Sequence, residues 1–257
     1  MYEKLFDLTG RVALVTGGSK GIGKAIARAL AEAGARVAIA ARHADELKAA
    51  AAEISAGLAI DVDYRVTDMS LREDTDALAR WALERFGRVD ILFNNAGSNQ
   101  PQPLVSATDD SWDHILELNL TSCMRLARAL VPGMMERRWG RIIHLSSVMA
   151  LASNPGRGSY SATKAALIGM TRAHALELGP LGITVNCLAP GPVATDLPMN
   201  LLTAEQKKKF AELTAVKRWG ETVDMVGPAL MLATDAGAFI TGNVIVADGG
   251  MLCRTFD

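Results

Sequence analysis

Two short stretches carry residue types able to do chemistry. In GSYSATKAAL (158–167), Tyr160 and Lys164 stand four residues apart, so on a helix the phenol and the ammonium share one face about one turn apart. Thirteen residues before Tyr160 lies Ser147, at the end of the apolar run GRIIHLSS. If that run is a strand, Ser147 reaches the C-terminal edge of the sheet, where open parallel sheets form their ligand crevice. A serine pair at a strand end can equally cap a helix or turn, and Y-x-x-x-K identifies nothing by itself. The second stretch, TGGSKGIGKA (16–25), is a glycine loop between a β-branched run and an alanine-rich one. In that context backbone N–H groups and a helix N-terminus attract phosphate.

The loop has two incompatible readings. Gly18 to Lys24 satisfies the first seven positions of the P-loop pattern, but the next position must be Ser or Thr to hold magnesium and is Ala25. A G-x-G-x-x-G reading from Gly21 and Gly23 asks for glycine where Ile26 stands. The pattern it does satisfy is T-G-x-x-x-G-x-G, on Thr16, Gly17, Gly21 and Gly23.

The elements that must position these groups follow from periodicity. Short runs fit for strands lie near 11–16, 36–41, 62–66, 89–95, 140–147, 182–190 and 243–250. Helical patterns lie near 21–34, 43–56, 71–86, 109–137, 158–179 and 222–234. Alternation of seven strands with helices predicts a single-domain α/β fold, a Rossmann-type doubly wound parallel sheet spanning 1–257. The long irregular stretch 191–220 is expected to be a substrate lid. A net charge of −1 provides no basic field for nucleic acid. Cys123, Cys187 and Cys253 form no C-x-x-C pair and share no metal-ligand spacing with the four histidines, so no metal is expected. No uninterrupted run of about 18 apolar residues occurs and the first residues lack an apolar signal core, so no membrane contact and a cytoplasmic location are expected.

Taken in order, the loop, the NNAG of 94–97, Asn119 in LNL, Ser147, Y-x-x-x-K and the PGPVAT of 190–195 resemble the short-chain dehydrogenase/reductase family from about residue 8 to residue 250. The resemblance implies an enzyme that interconverts a secondary alcohol and a ketone by hydride transfer, with a catalytic tetrad on Asn119, Ser147, Tyr160 and Lys164. Free tyrosine ionises only near pH 10, so a Tyr160 acid/base needs neighbouring positive charge, which Lys164 and an oxidised nicotinamide would supply. Ser147 would orient the substrate oxygen, and Asn119 would distort its helix and hold a water linking Lys164 to solvent. A dinucleotide would be cradled by Gly17, Ser19, Lys20, Gly21, Ile22, Gly23, Arg42, Val66, Asn94, Ala96, Gly97, Pro190, Val193 and Thr195, with Tyr160 and Lys164 contributing. Where the family has Asp-Val or Asn-Val at the end of the third strand to hold adenine, this sequence has Arg65-Val66, so the Val66 N–H is kept and the carboxylate contact is absent.

The second strand bears on the choice of dinucleotide. An acid at its end would hold the ribose hydroxyls of NAD, but Ala41 and then Arg42 stand there, and Lys20 lies directly before Gly21. Two cations at the adenosine side predict NADP(H), with NAD(H) as the alternative. Ser98, Met149 and Arg157 are candidate substrate contacts, Arg157 as a clamp for a carboxylate. The segments LFDLTGR, NNAGSNQPQP and KRWG are similar to gluconate 5-dehydrogenase-like members, while DGGM also suits reductases of 3-oxoacyl thioesters. A homotetramer or homodimer is the assembly the resemblance implies. A non-catalytic dinucleotide-sensing module remains the rival from another class.

Overall fold

The computed structural model describes residues 3–195, 199 and 202–253. Seven parallel strands form one sheet: β1 Val12–Thr16, β2 Arg36–Ala41, β3 Asp63–Val66, β4 Ile91–Asn94, β5 Gly140–Leu145, β6 Ile183–Pro190 and β7 Val244–Ala247. Their order across the sheet is β3-β2-β1-β4-β5-β6-β7. The helices are α1 Gly21–Glu32, α2 Ala44–Ser55, α3 Arg72–Phe86, α4 Asp109–Leu116, α5 Ser122–Arg137, α6 Gly158–Leu178, α7 Ala204–Leu213 and α8 Val226–Ala233.

Apolarity decides strand placement. Every residue of β1, β4 and β6 is buried, as a strand covered on both faces requires. In β3, DYRV alternates between half-buried and exposed, which suits the sheet edge it occupies. Alternation along the strands feeds two apolar layers. Ala13, Val15, Ile39 and Phe93 pack with Ile26 and Leu30 of α1, Leu47 of α2 and Leu232 of α8. Leu14, Ala38 and Leu92 pack on the opposite face with Leu78 of α3, Leu126 of α5 and Leu178 of α6.

The two ends of the sheet do different work. At the N-terminal edge the wholly buried Asp90 accepts from the Val12 N–H and pairs with Arg88 and Arg137. This ties β1, β4 and α5 together with a charge that has lost its water and found several donors. At the C-terminal edge the chain leaves β1 in one direction and β4 in the other, and the crevice opens at that reversal.

The structure corrects two expectations. The helix expected over 109–137 is interrupted by a π-helical turn, Glu117–Thr121, between α4 and α5. The stretch 191–220 is not irregular throughout, because it contains α7. The Thr203 hydroxyl accepts from the Gln206 N–H while the Gln206 side chain accepts from the Thr203 N–H, the reciprocal cap that T-x-x-Q makes possible. Residues 196–198, 200 and 201 of the expected lid lie outside the described residues.

Candidate active site

The glycine loop is glycine-rich because its backbone has no room for side chains. A Cβ on Gly17 would approach Asn95 Nδ2 to 2.6 Å, and one on Gly23 would run into the Gly17 carbonyl and the Asn95 amide. Gly17 and Gly21 also hold φ of +64° and +56°, a conformation L-residues rarely adopt. Asn95 fixes the loop by donating to the carbonyls of Thr16 (2.8 Å) and Gly17 (3.0 Å). The Thr16 hydroxyl accepts from the N–H groups of Asn95 and Ala96. Among the described residues no side chain caps α1 at Lys20, so its first-turn N–H groups are left for an anion, which the helix dipole also favours. Ile22 turns inward against the apolar layer, and Thr195 stands over the loop, its Cγ2 3.2 Å from where a Gly21 Cβ would be. Val193 pairs with Gly220, and Pro190 ends β6 opposite Ala247 of β7. These features fit a dinucleotide pyrophosphate.

Around the crevice, Tyr160 and Lys164 come together as their spacing requires. The Lys164 ammonium lies 5.6 Å from the Tyr160 ring centroid and donates to the Leu145 carbonyl at 2.6 Å. Ser146 donates to the Lys164 carbonyl (2.9 Å), so α6 is tied twice to the end of β5. Ser147, next in the chain, is buried, and its hydroxyl accepts from the Met149 N–H, capping a single 3₁₀ turn. The capping role open to such a serine is therefore used, and the hydroxyl still has its proton to donate.

Asn119 sits in the π turn, wholly buried. Its Oδ1 accepts from the Ser98 N–H, and its Nδ2 donates to the Ser98 carbonyl and the Thr163 hydroxyl. Such turns widen a helix by one residue and concentrate at functional sites. Here the turn joins the loop after β4 to α6. Gly97 fits between, since its Cβ would stand 3.1 Å from Asn119 Oδ1 and 3.5 Å from Lys164 Nζ. Asn119 therefore reaches Ser98 through backbone groups, and Ser98 is a link in the frame. Arg157 leads into α6, and its guanidinium makes no ion pair among the described residues.

The expected adenosine side lies at the ends of β2 and β3. Val66 is exposed, and Arg65 lies with its guanidinium 5.9 Å from the Trp81 ring of α3. The β2 pairing runs one residue past β3, with the Thr67 N–H donating to the Ala41 carbonyl. β3 ends at Val66 as expected, and Asp68 follows two residues later. The Asp68 carboxylate accepts from the Ser70 N–H and hydroxyl. Although burial raises its pKa, these bonds and the Arg42 charge hold it below the usual carboxylate range. Arg42 follows β2 and is exposed. Lys20 and Ser19 are both faced by Glu46, at 3.6 and 3.4 Å. Asn94, expected as a strand stabiliser, bonds across the sheet to His144, Nδ2 to Nδ1 at 3.1 Å.

Among the described residues no group of His, Cys, Asp and Glu is arranged to hold a metal ion, and no helix is long and apolar enough to cross a membrane. A parallel seven-stranded sheet with a glycine loop at its switch point and a Tyr–Lys pair at the next strand end defines a dinucleotide-dependent oxidoreductase of Rossmann type. The family model described as enoyl-(acyl carrier protein) reductase matches residues 17–252. The chain belongs to the short-chain dehydrogenase/reductase family. It is 41% identical to a 3-oxoacyl-[acyl-carrier-protein] reductase of Synechocystis, across 95% of this chain and 98% of that one. It is 39% identical to nodulation protein G of a Rhizobium strain, across 96% and 99%. Among solved structures it resembles a 3-oxoacyl (acyl-carrier-protein) reductase of Agrobacterium tumefaciens with NADP bound, with a TM-score of 0.92, 33% identity and 97% of each chain covered.

Proposed function

We propose that this oxidoreductase uses NADP(H) to interconvert a secondary alcohol and a ketone, with Tyr160 as proton donor and acceptor. Bound NADPH supplies the hydride. The observation that carries the reading is the Tyr160–Lys164–Leu145 arrangement beside the Asn119 turn: an ammonium held under a phenol by a backbone carbonyl. As negative charge develops on the substrate oxygen, Tyr160 gives up its proton, and the Lys164 ammonium stabilises the phenolate left behind. The Ser147 hydroxyl donates to the same oxygen and orients it. Asn119 holds the loop after β4 and α6 in register, so that the acid and the substrate wall stay in place.

Lys20 and Arg42 are the cations for a 2′-phosphate, the Val66 N–H faces adenine, and Asp68, two residues further on, offers a carboxylate on that side. NADP bound to the Agrobacterium relative supports the cofactor choice. The substrate is either a 3-oxoacyl thioester, as the names of the Synechocystis and Agrobacterium relatives suggest, or a sugar acid. A Beutenbergia cavernae structure named as a candidate NAD(P)-dependent gluconate 5-dehydrogenase, at 35% identity and TM-score 0.92, favours the second. The whole chain acts as one catalytic domain, with 191–220 closing over substrate and Arg157 and Met149 at the pocket mouth. The test is a screen of NADPH oxidation against 3-oxoacyl thioesters, keto sugar acids and simple cyclic ketones, run with Tyr160→Phe in parallel. Tyr160→Phe keeps NADPH binding and lowers turnover by several orders of magnitude; near-normal turnover removes the mechanism.

A further inference from the structure

We propose that Glu46 sets the strength of the preference between the two dinucleotides by competing with a 2′-phosphate for Ser19 and Lys20. The proposal rests on the NADP(H) reading above. Glu46 is the third residue of α2, and from there its carboxylate reaches back over the glycine loop. Oε2 accepts from the Ser19 hydroxyl at 3.4 Å, and Oε1 lies 3.6 Å from Lys20 Nζ. Ser19 is buried, whereas the Lys20 and Glu46 side chains are 61% and 43% exposed. The ion pair is therefore loose and readily exchanged.

A phosphate oxygen that takes a charge-assisted contact of about 2.8 Å with Lys20 lies no more than about 6.4 Å from Glu46 Oε1 as it stands. That is inside the screening length of about 8 Å at physiological salt, so the carboxylate repels the incoming anion or must swing away from both partners. A ribose 2′-hydroxyl meets no such repulsion and can donate to the same carboxylate. Glu46 thus works against Lys20 and Arg42, narrowing the selectivity they create. The next cation along α1, Lys24, is engaged by Glu53 at 2.6 Å and does not relieve the competition.

Asp45 separates this from a general charge effect. It shares the first turn of α2 and the same favourable helix dipole, yet makes no ion pair with Lys20 among the described residues. Binding of 2′,5′-ADP and of 5′-AMP to the intact wild-type, Glu46→Gln and Asp45→Asn proteins is measured by calorimetry at low ionic strength. These probes report on the adenosine side without any turnover. Glu46→Gln is expected to raise the affinity ratio of 2′,5′-ADP to 5′-AMP at least threefold or so, a gain that shrinks as salt is added. Asp45→Asn leaves the ratio within about twofold of wild type. An unmoved ratio in Glu46→Gln, or an equal gain in Asp45→Asn, overturns the proposal and leaves the NADP(H) reading intact. A wild-type ratio near one overturns that reading and the proposal with it.

Discussion

Acidification should destabilise this protein through one histidine that takes no part in the chemistry. His144 lies on β5, wholly buried, with its Nδ1 facing the Asn94 amide and its Nε2 without a hydrogen-bond partner among the described residues. Burial above all, then the charges of His174 and Lys164, pushes its imidazole down from 6.5 to about 3. Between those values the unfolded chain holds a proton that the native chain refuses, so stability falls as pH falls through the window and is complete above it. Going from pH 7 to pH 5, the unfolded histidine becomes almost fully charged while the native one stays neutral, which costs about 2 kcal/mol. Urea unfolding at fixed protein concentration, at both pH values, measures this difference. In His144→Asn the new carbonyl can still accept from Asn94, and the loss between pH 7 and 5 should shrink by about the same 2 kcal/mol. Identical pH dependence in wild type and variant would refute the assignment. The same loss bears on the active site, because the carbonyl that holds Lys164 belongs to the next residue, Leu145.

Three further outcomes follow from the geometry. Gly23→Ala forces a methyl into the Gly17 carbonyl; it should weaken NADPH binding more than tenfold and cost about 1–3 kcal/mol in thermal unfolding, as overpacking does. Arg42→Ala should lose on the order of 2 kcal/mol of preference for NADPH over NADH, roughly thirtyfold in the ratio of kcat/KM, through a lost charge-assisted contact. Arg157→Ala should raise KM for keto acids and leave neutral ketones unchanged; equal effects on both would reduce Arg157 to a helix-start residue.

Much of the fold can be read in the chain because burial on both faces writes itself as unbroken apolar runs. VALV is such a run and ITVNCLAP is interrupted only by the buried Thr184 and Asn186, and both lie in interior strands. The edge strand is legible through a different pattern. DYRV alternates instead of running apolar, and the strand ends at Val66 as its pattern suggests, with one further bond from the Thr67 N–H to the Ala41 carbonyl beyond it. The Tyr160–Lys164 pair is legible because one helical turn brings both together whatever the rest of the chain does. The contacts of Glu46 with Ser19 and Lys20 span 27 and 26 residues of sequence and depend on where α2 packs, which no local pattern states. The cap on α7 is visible as T-x-x-Q at Thr203, but the polar run that follows hides the helix it begins.

The π turn at Glu117–Thr121 has a consequence for how this gene can change. Each residue in a helix advances the chain by about 100°, so the extra residue in that turn sets the rotational phase of everything after it. Removing one residue there could leave a regular helix, with every hydrogen bond made and no composition altered. Yet Leu126, Leu130 and Met134, which now face the sheet, would turn a quarter of a circle or more away from it, and polar neighbours would take their place. Substitutions in this turn act locally, as on the bonds of Asn119 to Ser98 and Thr163; a deletion would rephase the whole of α5. The length of the segment is thus constrained as well as the identity of Asn119, unlike an exposed loop, which tolerates insertions and deletions.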